Sequence, residues 1–190
     1  MIIMENDKME NDNEWNRFTH LFKKKEIPAH TELLIEGEFA DEAFIILKGC
    51  LRTFTAHGPK NITLQFFFED ELFFCIQSFF NNKPSSFSLE TIEPCTVYAI
   101  SKKDFYMIVA SSVKIQEQID QFILNTLLYY QEMFDSKKIS NPEEKYARFL
   151  KNNPKVLLRI QPFYMSSLFG ITTKSLIRIQ NKYDLKNKKN

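Results

Sequence analysis

The stretch Pro162–Lys182 constrains the fold of this chain most, because its spacing predicts two short helices joined by a tight turn. Met165 and Leu168 lie three residues apart, so they share one face of the first helix. Gly170 follows where that helix must end, because a left-handed backbone carries least strain at a residue without a Cβ. Ile171 can then fill the turn between the two helices.

The second helix of this stretch is predicted to begin after Thr172, a residue type whose hydroxyl oxygen caps helices. Leu176 and Ile179 then face inward. The outer face keeps four polar side chains, Thr173, Lys174, Ser175 and Arg178. This pattern is typical of a helix-turn-helix, whose outer face enters a DNA major groove. A two-helix corner of an ordinary α-helical domain has the same spacing. The distribution of charge is therefore needed to distinguish it from a DNA-binding helix-turn-helix.

Charge is distributed unevenly along the chain, although the net charge is only +1. Residues 138–190 contain twelve Lys and Arg against three Asp and Glu, a net charge of +9, which leaves 13 against 21, or −8, for residues 1–137. A basic segment on an acidic body favours a nucleic-acid partner. It does not favour a membrane surface, because no large apolar helix face accompanies the basic residues.

Composition indicates a globular protein, since 44% of the 190 residues are hydrophobic, enough for one sizeable core and a small second domain. No apolar run approaches the roughly 18 residues that span a bilayer, and the first residues lack the pattern of a signal peptide, so we expect a cytoplasmic protein. The widely spaced Cys50, Cys75 and Cys95 argue against a disulfide framework and a four-thiolate iron–sulfur site. We expect buried free thiols.

The N-terminal half is predicted to be a short helix followed by many short strands. The helix starts at about Asp12, and its apolar face consists of Trp15, Phe18, Leu21 and Phe22. The strand-like runs are Glu32–Ile35, Phe44–Leu47, Leu51–Phe54, Ile62–Phe68, Phe87–Thr91 and Thr96–Ile100. Turn residues such as Gly37 and Gly49 separate these runs. Short strands at such intervals predict a β-roll or barrel.

A long helix is predicted from about residue 104 to Ser136. One apolar seam of this helix consists of Ile115, Ile119, Phe122, Thr126, Tyr129 and Met133. A second seam beside it consists of Ile123, Leu127, Tyr130 and Phe134. Two seams need two partners, so we expect the helix to pack on its own β-roll and on the same helix of a second subunit. A single wide face buried within the monomer is the alternative.

The residues after the long helix predict a hinge at 137–142 and a separate domain at 143–190. Asn141 and Pro142 supply an N-cap and a first-turn proline for a new helix. The apolar face of that helix consists of Tyr146, Phe149 and Leu150. Val156–Ile160 is predicted to be a further short helical piece that leads into the helix-turn-helix.

Four pieces of sequence are specific in combination: Gly37-Glu38 ahead of FIILKG, the segment ITLQFFFEDE, KPSS at Lys83–Ser86, and LFGITTKSLIRI at Leu168–Ile179. With the order of the elements, they resemble the Crp/Fnr family of transcription regulators over nearly the whole chain. The resemblance implies an α+β fold: a cyclic-nucleotide-binding-like β-roll (a double-stranded β-helix) with a dimerisation helix at 12–136, then a small helix-turn-helix domain. Only Tyr183–Asn190 follow the second helix. In this respect the chain resembles a short-tailed branch of the family, which lacks the winged hairpin.

The effector site that the resemblance implies departs from the cyclic-nucleotide binders of the family. Those proteins use a Gly-Glu pair and a later Arg-Ser pair, whose arginine pairs with the cyclic phosphate. On this chain the two pairs fall at Phe73-Phe74 and Pro84-Ser85. A buried phosphate without its arginine is a costly unpaired charge, so we do not expect cyclic AMP to bind.

The corresponding effector cleft is predicted to be lined by Phe73, Phe74, Pro84, Ser85 and Ser86, with Phe79 and Phe80 nearby. The sequence is compatible with two states of this cleft. It can hold an apolar small-molecule effector, or its own side chains can fill it.

Other chemistries lack the residues they need. His20, His30 and His57 are isolated, whereas a haem needs an axial ligand and a cupin-like metal enzyme needs clustered His and carboxylate ligands. A Gly-rich phosphate loop and a nucleophile elbow are also missing from the sequence. We therefore expect a binding protein and not an enzyme, with no metal and no cofactor.

The resemblance implies a homodimer whose two recognition helices read a roughly palindromic DNA duplex, and it makes RNA polymerase a candidate partner. We expect bases to be read by Thr173, Lys174 and Arg178. We expect phosphates to be contacted by Thr172, Ser175 and Lys182. Two alternatives stay open: a degenerate sensor whose basic lobe docks on an acidic protein, and an RNA-binding protein, for which Tyr164 is the obvious stacking aromatic of the basic lobe.

Overall fold

The computed structural model describes residues 14–58, 60–136, 141–152 and 159–187. Contacts between residues divide the chain into two compact units, Met1–Thr55 with Leu64–Asn125, and Ala56–Thr63 with Thr126–Asn190. Most of the predicted hinge at 137–142 and most of the helical piece predicted at Val156–Ile160 lie outside the described residues. None of the described helices has a stretch long and apolar enough to cross a membrane.

The first unit contains a short 3₁₀ helix, Glu14–Leu21, and most of a β-roll. The strands are β1 Lys23–Ile27, β2 Glu32–Leu34, β3 Glu42–Lys48, β4 Leu51–His57, β5 Lys60–Phe67, β6 Leu72–Phe73, β7 Ser88–Thr91 and β8 Cys95–Ser101. They form two four-stranded sheets, in the orders β1-β8-β3-β6 and β2-β7-β4-β5. An N-terminal β-roll followed by C-terminal helices is the α+β fold class predicted from the sequence.

Both sheets contribute to one hydrophobic core, which contains Ile45 and Val97 from one sheet and Leu51 and Leu89 from the other. The predicted N-terminal helix is confirmed as the 3₁₀ helix, and its Trp15 ring is buried in this core. The three other predicted apolar side chains pack partly buried against the core: Phe18, Leu21 and Phe22. Cys50, Cys75 and Cys95 are buried and free, as predicted.

Strand β1, KKKEI, was missed because its sequence shows no apolar alternation. It lies at the end of its sheet, pairs antiparallel with β8, and buries only Ile27 fully. Lys25 donates from Nζ to both carboxylate oxygens of Glu42, at 2.6 and 2.7 Å. Lysines on an edge strand discourage pairing with other chains, so the charged sequence suits its position.

Three helices follow parts of the β-roll: α1 Ile76–Asn81, α2 Lys102–Ser111 and α3 Val113–Ser136. The long helix predicted from about 104 to 136 is therefore two helices, separated by Ser112 in an extended conformation, φ −148° and ψ 122°. The Ser112 hydroxyl accepts the N–H of Ile115 at 3.2 Å and so caps α3. A capping serine inside the apolar pattern was the signal for this break.

The two halves of α3 differ in burial. Ile115 and Ile119 are fully buried in the β-roll core, and Phe122 and Ile123 pack against it, which confirms one of the predicted packing faces. The later apolar side chains are largely exposed, up to 67% for Phe134. These exposed side chains are Leu124, Leu127, Leu128, Tyr130 and Phe134.

The second unit contains α4 Pro142–Asn152, α5 Pro162–Phe169 and α6 Thr173–Asn187. Asn141 caps α4 as predicted, because its Oδ1 accepts the N–H of Glu143 at 2.9 Å. Tyr146 of α4 is buried, and its ring contacts Phe169 and Tyr183 edge-on, at 6.1 and 5.7 Å between centroids. Tyr146 therefore joins α4, α5 and α6 in one small core.

Candidate nucleic-acid interface and effector cleft

The turn between α5 and α6 has the predicted geometry. Gly170 is left-handed, with φ 65° and ψ 30°, and its N–H bonds the carbonyl oxygens of Ser166 and Ser167. The N–H of Ile171 bonds the Ser166 carbonyl at 3.1 Å. These bonds satisfy the last carbonyl groups of α5 and reverse the chain immediately before α6.

The start of α6 is fixed by its cap and by its buried face. Thr172 Oγ1 accepts the N–H of Ser175 at 3.1 Å, which confirms the predicted N-cap. Leu176 and Ile179 are buried, as is Met165 on α5. The inward side of α6 is therefore anchored on α5, and its opposite side is available to a partner.

Five of the six predicted DNA-contacting residues are solvent-exposed: Thr172, Lys174, Ser175, Arg178 and Lys182. Thr173 differs from them, because it is half-buried and its hydroxyl lies 3.1 Å from Ser166 Oγ on α5. The hydroxyls of Thr172 and Ser175 bond each other at 2.8 Å.

The three predicted DNA-contacting cations of α6 fall into two groups. Within residues 14–58, 60–136, 141–152 and 159–187, neither Lys174 nor Arg178 has an ion pair. Lys182 donates from Nζ to Glu143 Oε1 at 2.6 Å, and the two side chains are 55% and 39% exposed. An ion pair so exposed to water is weak, and a phosphate can displace the carboxylate. Among the described side chains of α6, Lys174 and Arg178 are thus the cations without a carboxylate partner.

Two exposed apolar side chains, one on α6 and one on α5, were missed. Ile177 is 43% exposed and lies three residues after Lys174, on the same side of α6. Phe163 at the start of α5 is 59% exposed. The position of Ile177 between Lys174 and Arg178 was the available signal, because those cations already defined the outward side.

In the first unit, the predicted effector cleft corresponds to the segment 73–86, which contains α1. Phe74 is buried and contacts four aromatic rings, with centroid distances of 5.3 to 5.8 Å. These rings belong to Phe79, Phe80, Phe105 and Phe122. Side chains from α1, α2 and α3 therefore surround Phe74 on several sides.

The other predicted cleft residues lie apart from that cluster. Phe73 is buried against Phe67 and Phe87, at 5.1 and 6.2 Å between centroids. Ser85 is buried, and its hydroxyl donates to the carbonyl of Phe87 at 2.6 Å. Pro84 and Ser86 are exposed. The structure thus divides the predicted cleft into two buried aromatic groups and an exposed edge.

Two side chains of α2 bind the carbonyl groups at the end of α1. Lys102 donates from Nζ to the Ser78 carbonyl, and the Tyr106 hydroxyl donates to the Phe79 carbonyl. Burial raises the pKa of Tyr106 above its ordinary value of 10.0, because the charged phenolate is poorly solvated there. These bonds occupy backbone groups that a short helix otherwise leaves to water or to a ligand.

The charges around the cleft do not suit a buried phosphate. Lys83 is the only charged residue in the segment 73–86, and it is exposed. Arg52 on β4 is buried, but its Nε pairs with the carboxylate of Glu90 and its guanidinium lies over the Phe54 ring at 4.6 Å. A buried arginine with its own carboxylate is not available to a ligand phosphate.

Metal ligation finds no support in the described part of the chain, where no three His, Cys, Asp or Glu side chains lie together as a metal site requires. His20, His30 and His57 are outside any such group.

Comparison with known proteins finds one family model similar to the N-terminal part of the chain. Residues 24–112 match the family model of the cyclic nucleotide-binding domain. No curated protein matches the chain by sequence. The family description concerns the domain as a class and does not identify a ligand of this chain.

Solved structures of Crp/Fnr regulators have the same fold at low sequence identity. FixK2 from Bradyrhizobium japonicum is 13% identical with a TM-score of 0.77, covering 87% of this chain and 86% of that one. A CooA variant from Carboxydothermus hydrogenoformans is 14% identical with a TM-score of 0.71, covering 92% and 81%. The regulator CLP from Xanthomonas campestris is 14% identical with a TM-score of 0.66, covering 90% and 91%.

Proposed function

We propose that this chain is a DNA-binding transcription regulator of the Crp/Fnr type, with α6 as its recognition helix. The observation that carries the proposal is the pair Lys174 and Arg178, which are exposed and have no ion pair among the described residues. They lie four residues apart, so they project from one side of α6. The net charge of +9 in residues 138–190 adds attraction to a polyanion.

The side chains of α6 have separate proposed roles. Arg178 can bond the O6 and N7 edge of a guanine in two places, and Lys174 can reach a neighbouring base. Ile177 between them can contact a thymine methyl group. Thr172, Ser175 and Lys182 are proposed to contact phosphates. Thr173 is the weakest of the proposed base readers, because its hydroxyl lies beside Ser166.

The active form is proposed to be a homodimer through α3. The exposed apolar face formed by Leu124, Leu127, Leu128, Tyr130 and Phe134 supports this step, because a second copy of the same face would remove it from water. Two-fold symmetry then presents two α6 helices about 34 Å apart, to successive major grooves of a roughly palindromic site. A regulator of this type has RNA polymerase as a candidate partner.

The effector is proposed not to be cyclic AMP. The segment 73–86 lacks the phosphate arginine, and Arg52 is already paired with Glu90. The aromatic cluster around Phe74 supports a cleft that is filled by its own side chains.

The test compares Arg178→Ala with Lys151→Ala, which removes a positive charge from an exposed site on α4. Binding of the full chain to a selected duplex and to a random duplex is measured by fluorescence anisotropy over a range of salt. Arg178→Ala should lose about 1 to 3 kcal/mol on the selected duplex and much less on the random one. Lys151→Ala should weaken both duplexes slightly and equally.

Equal losses on both duplexes for Arg178→Ala would remove its base-reading role. If the wild-type chain binds every duplex equally weakly, with no salt dependence, the alternative of a protein-docking basic lobe gains. The exposed Phe163 on α5 is the observation that favours that alternative.

A further inference from the structure

The second unit contains a segment from the β-roll sequence as well as its helices. Ala56–Thr63, where β4 ends and β5 begins, belongs to this unit. β5 is the last strand in its sheet order, β2-β7-β4-β5. An edge strand presents unpaired N–H and carbonyl groups, and those of alternate residues point to the same side.

Ser167 on α5 bonds two backbone groups of this segment with one hydroxyl. Its Oγ donates to the Asn61 carbonyl at 2.9 Å and accepts the N–H of Thr63 at 2.9 Å. Asn61 and Thr63 are alternate residues of β5, so the hydroxyl takes the place that a neighbouring strand would fill.

Ser166, the preceding residue, contacts groups of α5 and α6 instead of β5. Ser166 Oγ donates to the Phe163 carbonyl at 2.8 Å, the usual bond of a serine to its own helix. The same oxygen lies 3.1 Å from the hydroxyl of Thr173, the first residue of α6. Within the part of the chain that the structure describes, the Ser167 hydroxyl instead bonds Asn61 and Thr63 of β5 and not a carbonyl of its own helix.

We propose that Ser167 is a positioning residue for the recognition helix. Ser167 fixes α5 against the Asn61–Thr63 edge, and Ser166 with Thr173 carries that placement to the start of α6. Lys174 then follows directly after Thr173 in the helix. This inference rests on the proposed DNA-binding function, and it assigns to the segment Asn61–Thr63 of the second unit a role in orienting the side chains proposed to read DNA.

The experiment uses the full chain with two substitutions at the site and one matched control. Ser167→Ala removes both bonds, and Ser167→Thr keeps the hydroxyl. Ser111→Ala is the control, because the Ser111 hydroxyl donates to the Ile108 carbonyl of its own helix, at 2.7 Å. Hydrogen exchange reports the Thr63 amide, and anisotropy reports binding to a duplex selected by the wild-type chain.

Ser167→Ala should speed exchange at Thr63 about tenfold and weaken binding to the selected duplex about tenfold, by the ordinary strength of two hydrogen bonds. Ser167→Thr should restore most of both losses. Ser111→Ala should change neither quantity. Binding to a random duplex should change little in any variant, because phosphate contacts do not depend on the exact orientation of α6.

Two results would overturn the inference. Unchanged exchange at Thr63 in Ser167→Ala would show that the contact does not form. Faster exchange with undiminished binding to the selected duplex would show that the contact does not orient α6. If the wild-type chain selects no duplex, the proposed function fails and the positioning role fails with it, whereas the exchange result still reports whether the contact exists.

Discussion

The predicted effector cleft of the first unit and the outer face of α6 differ in the burial of their side chains and in the partners of their cations. In the cleft, four rings surround Phe74, and Lys102 is bound to a backbone carbonyl. On α6, Lys174 and Arg178 stay in water. A buried polar group needs a partner within the protein, whereas an exposed cation is solvated by water and can still bind an external anion. The difference is consistent with the proposal that α6 carries recognition and that the aromatic rings of the cleft stabilise the first unit.

The largest expected effect follows from removing the centre of the cleft. Phe74→Ala should lower the free energy of unfolding by about 3 to 5 kcal/mol, because the neighbouring rings cannot close the cavity fully. Urea unfolding measures this loss, and Phe80→Ala is the control, since Phe80 is 44% exposed and should cost much less. A loss below about 1 kcal/mol for Phe74→Ala would mean that the cleft is loosely filled and open to a ligand.

The glycines of the two units provide the next contrast. Gly49, with φ +106°, would place a Cβ 2.8 Å from both Cys95 Cα and the Pro94 carbonyl oxygen, whereas Gly170, with φ +65°, has open space around it. Gly49→Ala should cost about 2 to 4 kcal/mol, and Gly170→Ala about 1 kcal/mol from backbone strain alone. Equal losses in urea unfolding would show that the Gly49 turn can relax.

A third surface sharpens the contrast, since the exposed face of α3 is apolar where that of α6 is charged. Leu127→Glu should weaken the proposed homodimer by about 2 kcal/mol, or about 30-fold, because it would place like charges in the proposed interface. Sedimentation over a range of concentrations measures the change. Gln121→Glu adds the same charge at an exposed polar site of α3 and should leave association unchanged. A wild-type chain that stays monomeric would contradict the role of this face.

The smallest expected effect concerns Tyr106, whose hydroxyl donates to the Phe79 carbonyl. Tyr106→Phe should cost about 1 kcal/mol at neutral pH. Because burial raises the pKa of Tyr106 above 10.0, its contribution is present below pH 10 and is lost as the pH rises through the raised pKa. The urea midpoints of wild type and Tyr106→Phe should therefore converge above pH 10. A constant gap between them would mean that Tyr106 does not ionise in that range.

Local rules were sufficient for the helix-turn-helix. Gly170 and Thr172 were predictable because a left-handed C-terminal residue and a capping hydroxyl act within a few residues of sequence. Leu176 and Ile179 were predictable from helical periodicity. The break at Ser112 shows the limit of that periodicity, since a capped restart preserves the apolar pattern on both sides.

The contacts between residues far apart in the chain could not be predicted from the sequence. Strand β1 is a strand only because β8 pairs with it, and its own residues are mostly charged. The partners of Ser167 lie more than one hundred residues away in sequence, which no local pattern can reveal. The aromatic content around Phe74 was visible, but which rings meet depends on how α1, α2 and α3 pack. The inward position of the Thr173 hydroxyl depends likewise on its contact with Ser166.

The most direct test of DNA reading by α6 is the selection of bound duplexes from a random pool, using the full-length chain at about 150 mM salt. A two-fold symmetric motif is expected, with half-sites about 34 Å apart, and Arg178→Ala should lose the preference at one position in each half-site. Failure to recover any motif, with or without added small-molecule extract, would contradict the proposed reading of DNA by α6 and favour a protein partner for the basic lobe.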